Sequence, residues 1–234
     1  MIGKGIEINN IHTYRDLGVS ISSKSIGAPA LNRITESVPF MNGVYDFSDM
    51  FEEETYGERV LQYEFDLSDV SKGLVNAKKM KIINFFKNNR NSILRDDTVR
   101  GYHFNFVRMI EHSFKESGLE GKLTVSLATQ PFKVRDIYEG NNSWDDFNFE
   151  LDILQDTKFE ISNMTDIVIH NAGGKKVIPE IICSSSMEVV KDNMTYKLKK
   201  GSNKDYRFKL DVGANNITVK GNGFIEFKFR KELL

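Results

Sequence analysis

Four histidines, His12, His103, His112 and His170, are the first residues to weigh for chemistry. They are scattered, and neither an H-E-x-x-H nor paired C-x-x-C motifs gather metal ligands. His103 alternates with Tyr102 and Phe104 on what reads as the wet side of a strand, where a solvated ring is expected. The single cysteine, Cys183, follows Ile181 and Ile182 and has no neighbour to activate it. A buried, inert thiol is expected there, with no internal disulfide. Gly173-Gly174-Lys175-Lys176 has the composition of a phosphate loop without the G-x-x-x-x-G-K-[ST] spacing, so a hairpin turn with exposed lysines is expected. Carboxylates cluster at Asp145-Asp146 and at Glu52, Glu53 and Glu54, with nothing nearby expected to raise one pKa for acid catalysis. These residues give no catalytic, cofactor or metal site, and an enzyme is not expected. The one tryptophan, Trp144, either stacks on a sugar or plugs a joint between domains, and the joint is the expectation.

The elements that hold these residues are mostly strands. A chain of 234 residues buries about 70% of its unfolded surface. Seventeen Phe and eight Tyr suit half-buried pleated surfaces, and prolines number only four. Leu61, Tyr63, Phe65 and Leu67 alternate with Gln62, Glu64 and Asp66, the period of a strand with one buried face. Gly43, in the turn before that strand, is free to take a positive φ. Ser48 is placed to cap one or two helical turns over Met50 and Phe51.

The spacing predicts one substantial helix over Ala77–Asn88, capped by Asn76, with Met80, Ile83 and Phe86 on its apolar face. Val75 and Met80 would form its hydrophobic staple. Strands resume at Tyr102, Phe104 and Phe106, then slip to Val107 and Met109, as a β-bulge would make them. Leu123, Val125 and Leu127 alternate up to Pro131. Residues 134–146 are polar and turn-rich, which suggests domains over 1–137 and 138–234. Beyond them short strands follow at close intervals: Phe147–Ile153, Phe159–Ile161, Ile167–Ile169, Val177–Cys183, Met187–Val190, Met194–Leu198, Arg207–Leu210, Ile217–Val219 and Phe224–Phe229. Asn/Gly turns separate them, the pattern of a β-sandwich.

The formal net charge of −1 argues against a specific nucleic-acid binder held by phosphate neutralisation. Its distribution is uneven. Glu36 to Asp69 holds ten acids and one base, and Lys72 to Arg95 holds seven bases and no acid. Two such blocks on different faces would set register between subunits, with Glu52, Glu53 and Glu54 meeting Lys78, Lys79 and Lys81 of a neighbour. The N-terminus lacks the apolar stretch of a signal peptide and no segment reaches membrane-spanning length, so synthesis in a reducing cytoplasm is expected.

Leu17 to Pro29 (LGVSISSKSIGAP), the Val38-Pro39…Asn42-Gly43…Asp46-Phe47-Ser48 turn and the strand opening at Arg59 resemble the N-terminal half of distal tail proteins. These are hub proteins at the tip of long, non-contractile phage tails. The family's turn reads Val-Pro-Gly, and Phe40 stands here in place of that glycine. The strand running into Pro131 is similar to the end of the family's first domain. Ile169 to Ile181 (IHNAGGKKVIPEI) and Asp211 to Val219 (DVGANNITV) resemble its C-terminal galectin-like domain.

The resemblance implies a mainly β fold: a sandwich or barrel-like N-terminal domain with one packed helix, then a galectin-like, jelly-roll sandwich. It implies a homohexameric ring at the distal end of the virion's tail, joining the tail tube protein to the tail-tip or baseplate proteins and the host-adsorption apparatus. In such a ring the Glu52–Glu54 passage would lie either at the subunit interface or on the bore. Two alternatives are a carbohydrate-binding module for host cell-wall polymer, and a peripheral receptor-binding or adaptor protein of the same tail tip.

Overall fold

The computed structural model describes residues 5–48, 54–141, 150 and 152–234. The chain is mainly β and divides into two compact units, one running to Lys133 and the other Val134–Leu233. The elements are β1 (Ile6–Ile8), β2 (Ile11–His12), β3 (Ser20–Ile26), β4 (Thr35–Glu36), β5 (Tyr45–Asp46), β6 (Arg59–Asp66), α1 (Lys72–Asn88), β7 (Ser92–Asp96), β8 (Tyr102–Ser117), β9 (Glu120–Thr129) and β10 (Lys133–Arg135). The second unit continues with β11 (Lys158–Asn171), β12 (Glu180–Cys183), β13 (Met187–Lys191), β14 (Met194–Leu198), β15 (Gly201–Asn203), β16 (Gly213–Lys228) and β17 (Glu232–Leu233).

In the first unit the strands run antiparallel in the order β2-β1-β7-β8-β9-β6-β3. Strand β8 belongs to both halves: its start pairs with β7, and from Arg108 onward it pairs with β9. Between the two, Phe106 takes φ 55° and turns outward. A bulge there lets one strand turn a corner, so the sheet folds over on itself. This corrects two expectations. Phe106 is exposed, and His103 lies buried beside Phe104 instead of facing water. The alternation read from Tyr102 onward breaks at the bulge, and the inward set becomes Phe104 and Val107.

Strand β6 keeps its pattern, with Leu61, Tyr63 and Phe65 fully buried. Arg59 at its start donates from Nε to the Pro131 carbonyl at 2.8 Å, tying the start of β6 to the segment that follows β9. Helix α1 begins five residues before the expected Ala77. Ser71 is its N-cap, and its hydroxyl accepts from the Leu74 amide at 3.3 Å. Gly73 reads as a break in the sequence, but it falls in the first turn, where backbone amides have no helical partner to lose. The buried face is Val75, Ile82, Phe85 and Phe86, while Met80 faces solvent, so the expected Val75–Met80 staple does not form. Phe86 packs 5.9 Å from Phe65 and 5.1 Å from Phe85, ring centre to ring centre.

A buried polar centre joins the two faces of this unit. Asp96 on β7 accepts from the Tyr63 hydroxyl at 3.0 Å and from Lys24 Nζ on β3 at 2.9 Å. The Thr98 amide and hydroxyl also donate to it. Burial alone would raise this carboxyl, but Lys24 and Thr98 outweigh it and hold its pKa below the ordinary value.

In the second unit, a long antiparallel pair of β11 with β16 runs through the whole domain. One half of β16 carries β13 and then β14, and the other half carries β12 and then β15. At the midpoint Asn163 (φ 58°) opposes Gly221 (φ 140°), with Gly223 (φ 119°) just beyond. A side chain at Gly223 would meet the Ser184 hydroxyl at 2.3 Å, so the bend depends on glycine. The bent strand pair thus supplies both leaves of a sandwich, whose core includes Phe208, Phe227, Ile225, Val189 and Ile169.

The expected strands Phe159–Ile161 and Ile167–Ile169 are therefore one strand, as are Ile217–Val219 and Phe224–Phe229. Asp192-Asn193 is the expected turn, closing the β13–β14 hairpin at φ 50° and 60°, whereas the Asn/Gly residues at 201–203, 213–216 and 221–223 are start points or bends within strands. Of Phe147–Ile153, the described residues Glu150, Asp152 and Ile153 are not strand, and Arg207–Leu210 forms only a bridge from Leu210 to Val177.

Two strand starts in this unit share one device. In Lys199–Asn203 and again in Asp211–Asn215, a positive-φ glycine (99° at Gly201, 91° at Gly213) is followed two residues on by asparagine. Asn215 donates to the carbonyls of Asp211 (2.8 Å), Gly213 (3.1 Å) and Ile169 (3.3 Å), and accepts from the Asp211 amide (2.8 Å). Asn203 repeats the set with Lys199, Gly201 and Ile181.

Candidate assembly surface

Between β3 and β6 the chain leaves the first unit's core and returns. The root is fixed by backbone bonds: the Gly27 amide to the Val60 carbonyl (3.0 Å), Gly57 to Ala30 (2.8 Å) and Asn32 to Thr55 (2.8 Å). Farther out, β4 pairs with β5, and Phe47 donates to the Ile34 carbonyl at 2.7 Å. Every residue from Leu31 to Phe40 is exposed. Along this arm Leu31, Ile34, Val38, Phe40, Val44, Tyr45 and Phe47 all present large apolar side chains to solvent. So many on one excursion mark a surface that is covered by something else.

Phe40 is both fully exposed and held at φ 67°, a left-handed conformation that costs a non-glycine residue about 1 kcal/mol. It occupies the place where the resembling turn carries glycine. Gly43 takes φ 94°. The arm is braced by Asp46, which accepts from Arg33 (2.7 Å) and from the Ser48 amide (3.0 Å) and hydroxyl (2.5 Å). The Ser48 hydroxyl, and next the Arg33 guanidinium, hold the Asp46 carboxyl down at about 2. A depressed carboxylate contributes above the ordinary carboxylate range, near pH 4, and that contribution goes as the pH falls toward its folded value. Amide exchange at Ile34 and Phe47 is expected to quicken across that interval, after correction for intrinsic rates, while exchange in β6 does not.

The charge candidates are distributed unevenly. Glu52, Glu53 and Trp144, with Asp145, Asp146 and the helical turn expected over Met50 and Phe51, lie outside the described residues. Glu54 is exposed and accepts from the Tyr56 hydroxyl at 2.5 Å. Lys78 is engaged within the protomer, by Asp69 at 2.8 Å and the Ser68 carbonyl at 3.1 Å. Lys79 lies over the Phe114 ring at 4.6 Å. Lys81 is exposed and, among the described residues, forms no ion pair.

The residues weighed first for chemistry lie apart. His12 Nε2 faces Asp97 at 3.2 Å, while its Nδ1 accepts from the Arg15 amide. Cys183 is buried, and burial pushes its thiol pKa up. Among the described residues no group of three His, Cys, Asp or Glu is placed to hold a metal, and no helix is long and apolar enough to cross a membrane. Gly173-Gly174-Lys175-Lys176 is not a hairpin, because β11 and β12 both pair with β16. Asn171 accepts from the Gly173 amide, Lys175 pairs with Glu232 at 2.7 Å and Lys176 with Asp211 at 3.3 Å.

The apolar arm was missed in the sequence because its side chains follow no period. They are interrupted by Pro39, Asn42 and Gly43 and read as a turn. An apolar run without strand or helix spacing was the available signal.

No family model matches the sequence. No curated protein matches it either. Among solved structures, a chain from the structure of the phage p2 baseplate in its activated conformation with strontium aligns at TM-score 0.40 and 8% identity, over 98% of this chain and 97% of that one. The fold is similar to the crystal structure of the SPP1 Dit protein, described as a paradigm of the hub adsorption apparatus in phages infecting Gram-positive bacteria, at TM-score 0.66 and 11% identity over 99% of each chain. Across both units, the chain has the fold of a phage distal-tail hub protein.

Proposed function

We propose that this protein is a structural hub at the distal end of a phage tail. Copies close into a ring of six that continues the tail tube on one side and carries tail-tip or baseplate proteins on the other. The chain would act by assembly and not by catalysis, with its second, galectin-like unit as an outward arm. The likeness in fold to the SPP1 hub over the whole chain supports this reading. The observation that carries it is the apolar arm between β3 and β6, rooted in the first unit and left uncovered by it. A ring needs two different surfaces on each protomer, one projecting and one receiving, with a rotation that closes. The arm is the projecting one. Lys81 and the acidic passage Glu52–Glu54 would add charge register at the same contact.

The test is the double variant Ile34→Asp, Val44→Asp, followed by size-exclusion chromatography with light scattering. The ring is expected to fall to monomer with an unchanged circular dichroism spectrum. An intact ring in that variant would remove the arm from the interface. Phe40→Gly separates strain from contact: the protomer's Tm is expected to hold or rise while self-association weakens.

A further inference from the structure

Between Lys197 and Lys209 the sequence carries six bases and one acid, Asp205. Over the rest of Val134–Leu233, acids outnumber bases fifteen to nine. The basic segment is therefore a local feature on an otherwise acidic unit. Its place in the fold is specific. Strand β14 ends one leaf of the sandwich and β15 ends the other, and Lys199-Lys200 crosses between these two edges.

At that crossing lies an open cleft of about 460 Å³, lined by Tyr196, Lys197, Lys204, Tyr206 and Arg207 among others. Its floor is rigid. Tyr196 is buried, stacks edge-on against Phe208 at 5.0 Å and donates from its hydroxyl to the Arg207 carbonyl at 3.2 Å. Asn203 locks the crossing through its bonds to Lys199. The rim is polar and cationic. Arg207 is forked onto Asp205, whereas the lining residues Lys197 and Lys204, and Lys199 and Lys200 on the neighbouring crossing, are exposed and, among the described residues, form no ion pair. Tyr206 stands at the mouth with its side chain mostly in solvent.

We propose that this cleft binds a flexible polyanion whose repeat unit joins a sugar or polyol to a phosphodiester. Lysine ammonium groups are compact point charges that accept a phosphate in any orientation, unlike the planar fork of arginine. A broad, stiff polyanion such as duplex DNA would bring phosphates within a Debye length, about 8 Å, of the acidic remainder of the unit and be repelled, leaving a strip for a single narrow chain. Single-stranded nucleic acid is bound on successive aromatic platforms, and this cleft offers one exposed ring. One amphipathic ring beside Lys197 and Lys204, with Lys199 and Lys200 continuing the basic strip, suits an alternation of polyol and phosphate.

The experiment titrates the full chain with poly(glycerol phosphate), with uncharged dextran and oligothymidylate of matched phosphate number as controls, at several salt concentrations. Binding to poly(glycerol phosphate) alone is expected. The K197A/K200A/K204A variant should bind at least tenfold more weakly with unchanged thermal unfolding. The slope of log affinity against log salt should fall by about 2, as loss of three single-strand phosphate contacts requires. Tyr206→Ala should weaken binding severalfold without changing that slope. Should the triple variant fail to fold, Lys204→Glu alone, at an exposed loop position, carries the same comparison. Absent binding, a variant that binds like the parent, or equal affinity for oligothymidylate would each overturn the assignment. Light scattering on the same samples separates this from the hub reading: rings that form normally without binding the polymer sink this site alone.

Discussion

Replacing Asn215 with alanine is expected to destabilise the second unit by about 3 kcal/mol, the upper range for stranding buried polar groups. The side chain is almost wholly buried and makes four hydrogen bonds, three donated to carbonyls and one accepted from the Asp211 amide. Alanine leaves those backbone groups unpaired where water has little access. Asn215→Asp discriminates between a hydrogen-bond lock and simple packing. It keeps size but turns an oxygen toward three carbonyls, so its cost should equal or exceed that of alanine. Asn203→Ala removes the same bonds at a half-exposed position where water can replace them, and about 1 kcal/mol is expected. Urea unfolding followed by amide exchange in β11 and β16 measures all three. An Asn215→Asp protein as stable as the parent would refute the lock.

In the first unit Asp96→Ala should have a comparable effect, about 3 kcal/mol or more. It strands the Tyr63 hydroxyl in the core and leaves Lys24 without its carboxylate. Loss of exchange protection is expected in β6 and β7 and not in the second unit. The pH dependence carries a sign. With its folded pKa lowered, Asp96 contributes fully above the ordinary carboxylate range, and the contribution fades as pH falls below it. Asp96→Asn keeps an acceptor for Tyr63 and removes the charge. It should cost less than alanine and flatten the acid limb of the stability curve. An unchanged acid limb would mean that the ion pair contributes nothing to folding.

Elements with an unbroken period were legible in the sequence. The alternation of β6 reads directly onto the core because that strand is straight and pairs on both sides. Bent strands were not, since β8 and β16 each serve both faces of a unit. At Phe106 and at Gly221–Gly223 the inward set shifts, and residues typical of turns mark bends within one strand. The helix start was misplaced because Gly73 counts as a breaker by propensity yet costs little in a first turn. Lys78 and Lys79 were legible as charges, but their partners were not, because Asp69 and Phe114 reach them only through the fold. The arm was hidden because exposed apolar side chains have no period to betray them.

The mass of the purified protein in solution bears most directly on the hub reading, with negative-stain images of the same sample. The account predicts a concentration-dependent rise to six copies and closed rings with six-fold symmetry. A protein that stays monomeric at every concentration, with the apolar arm intact and accessible to protease, would contradict it.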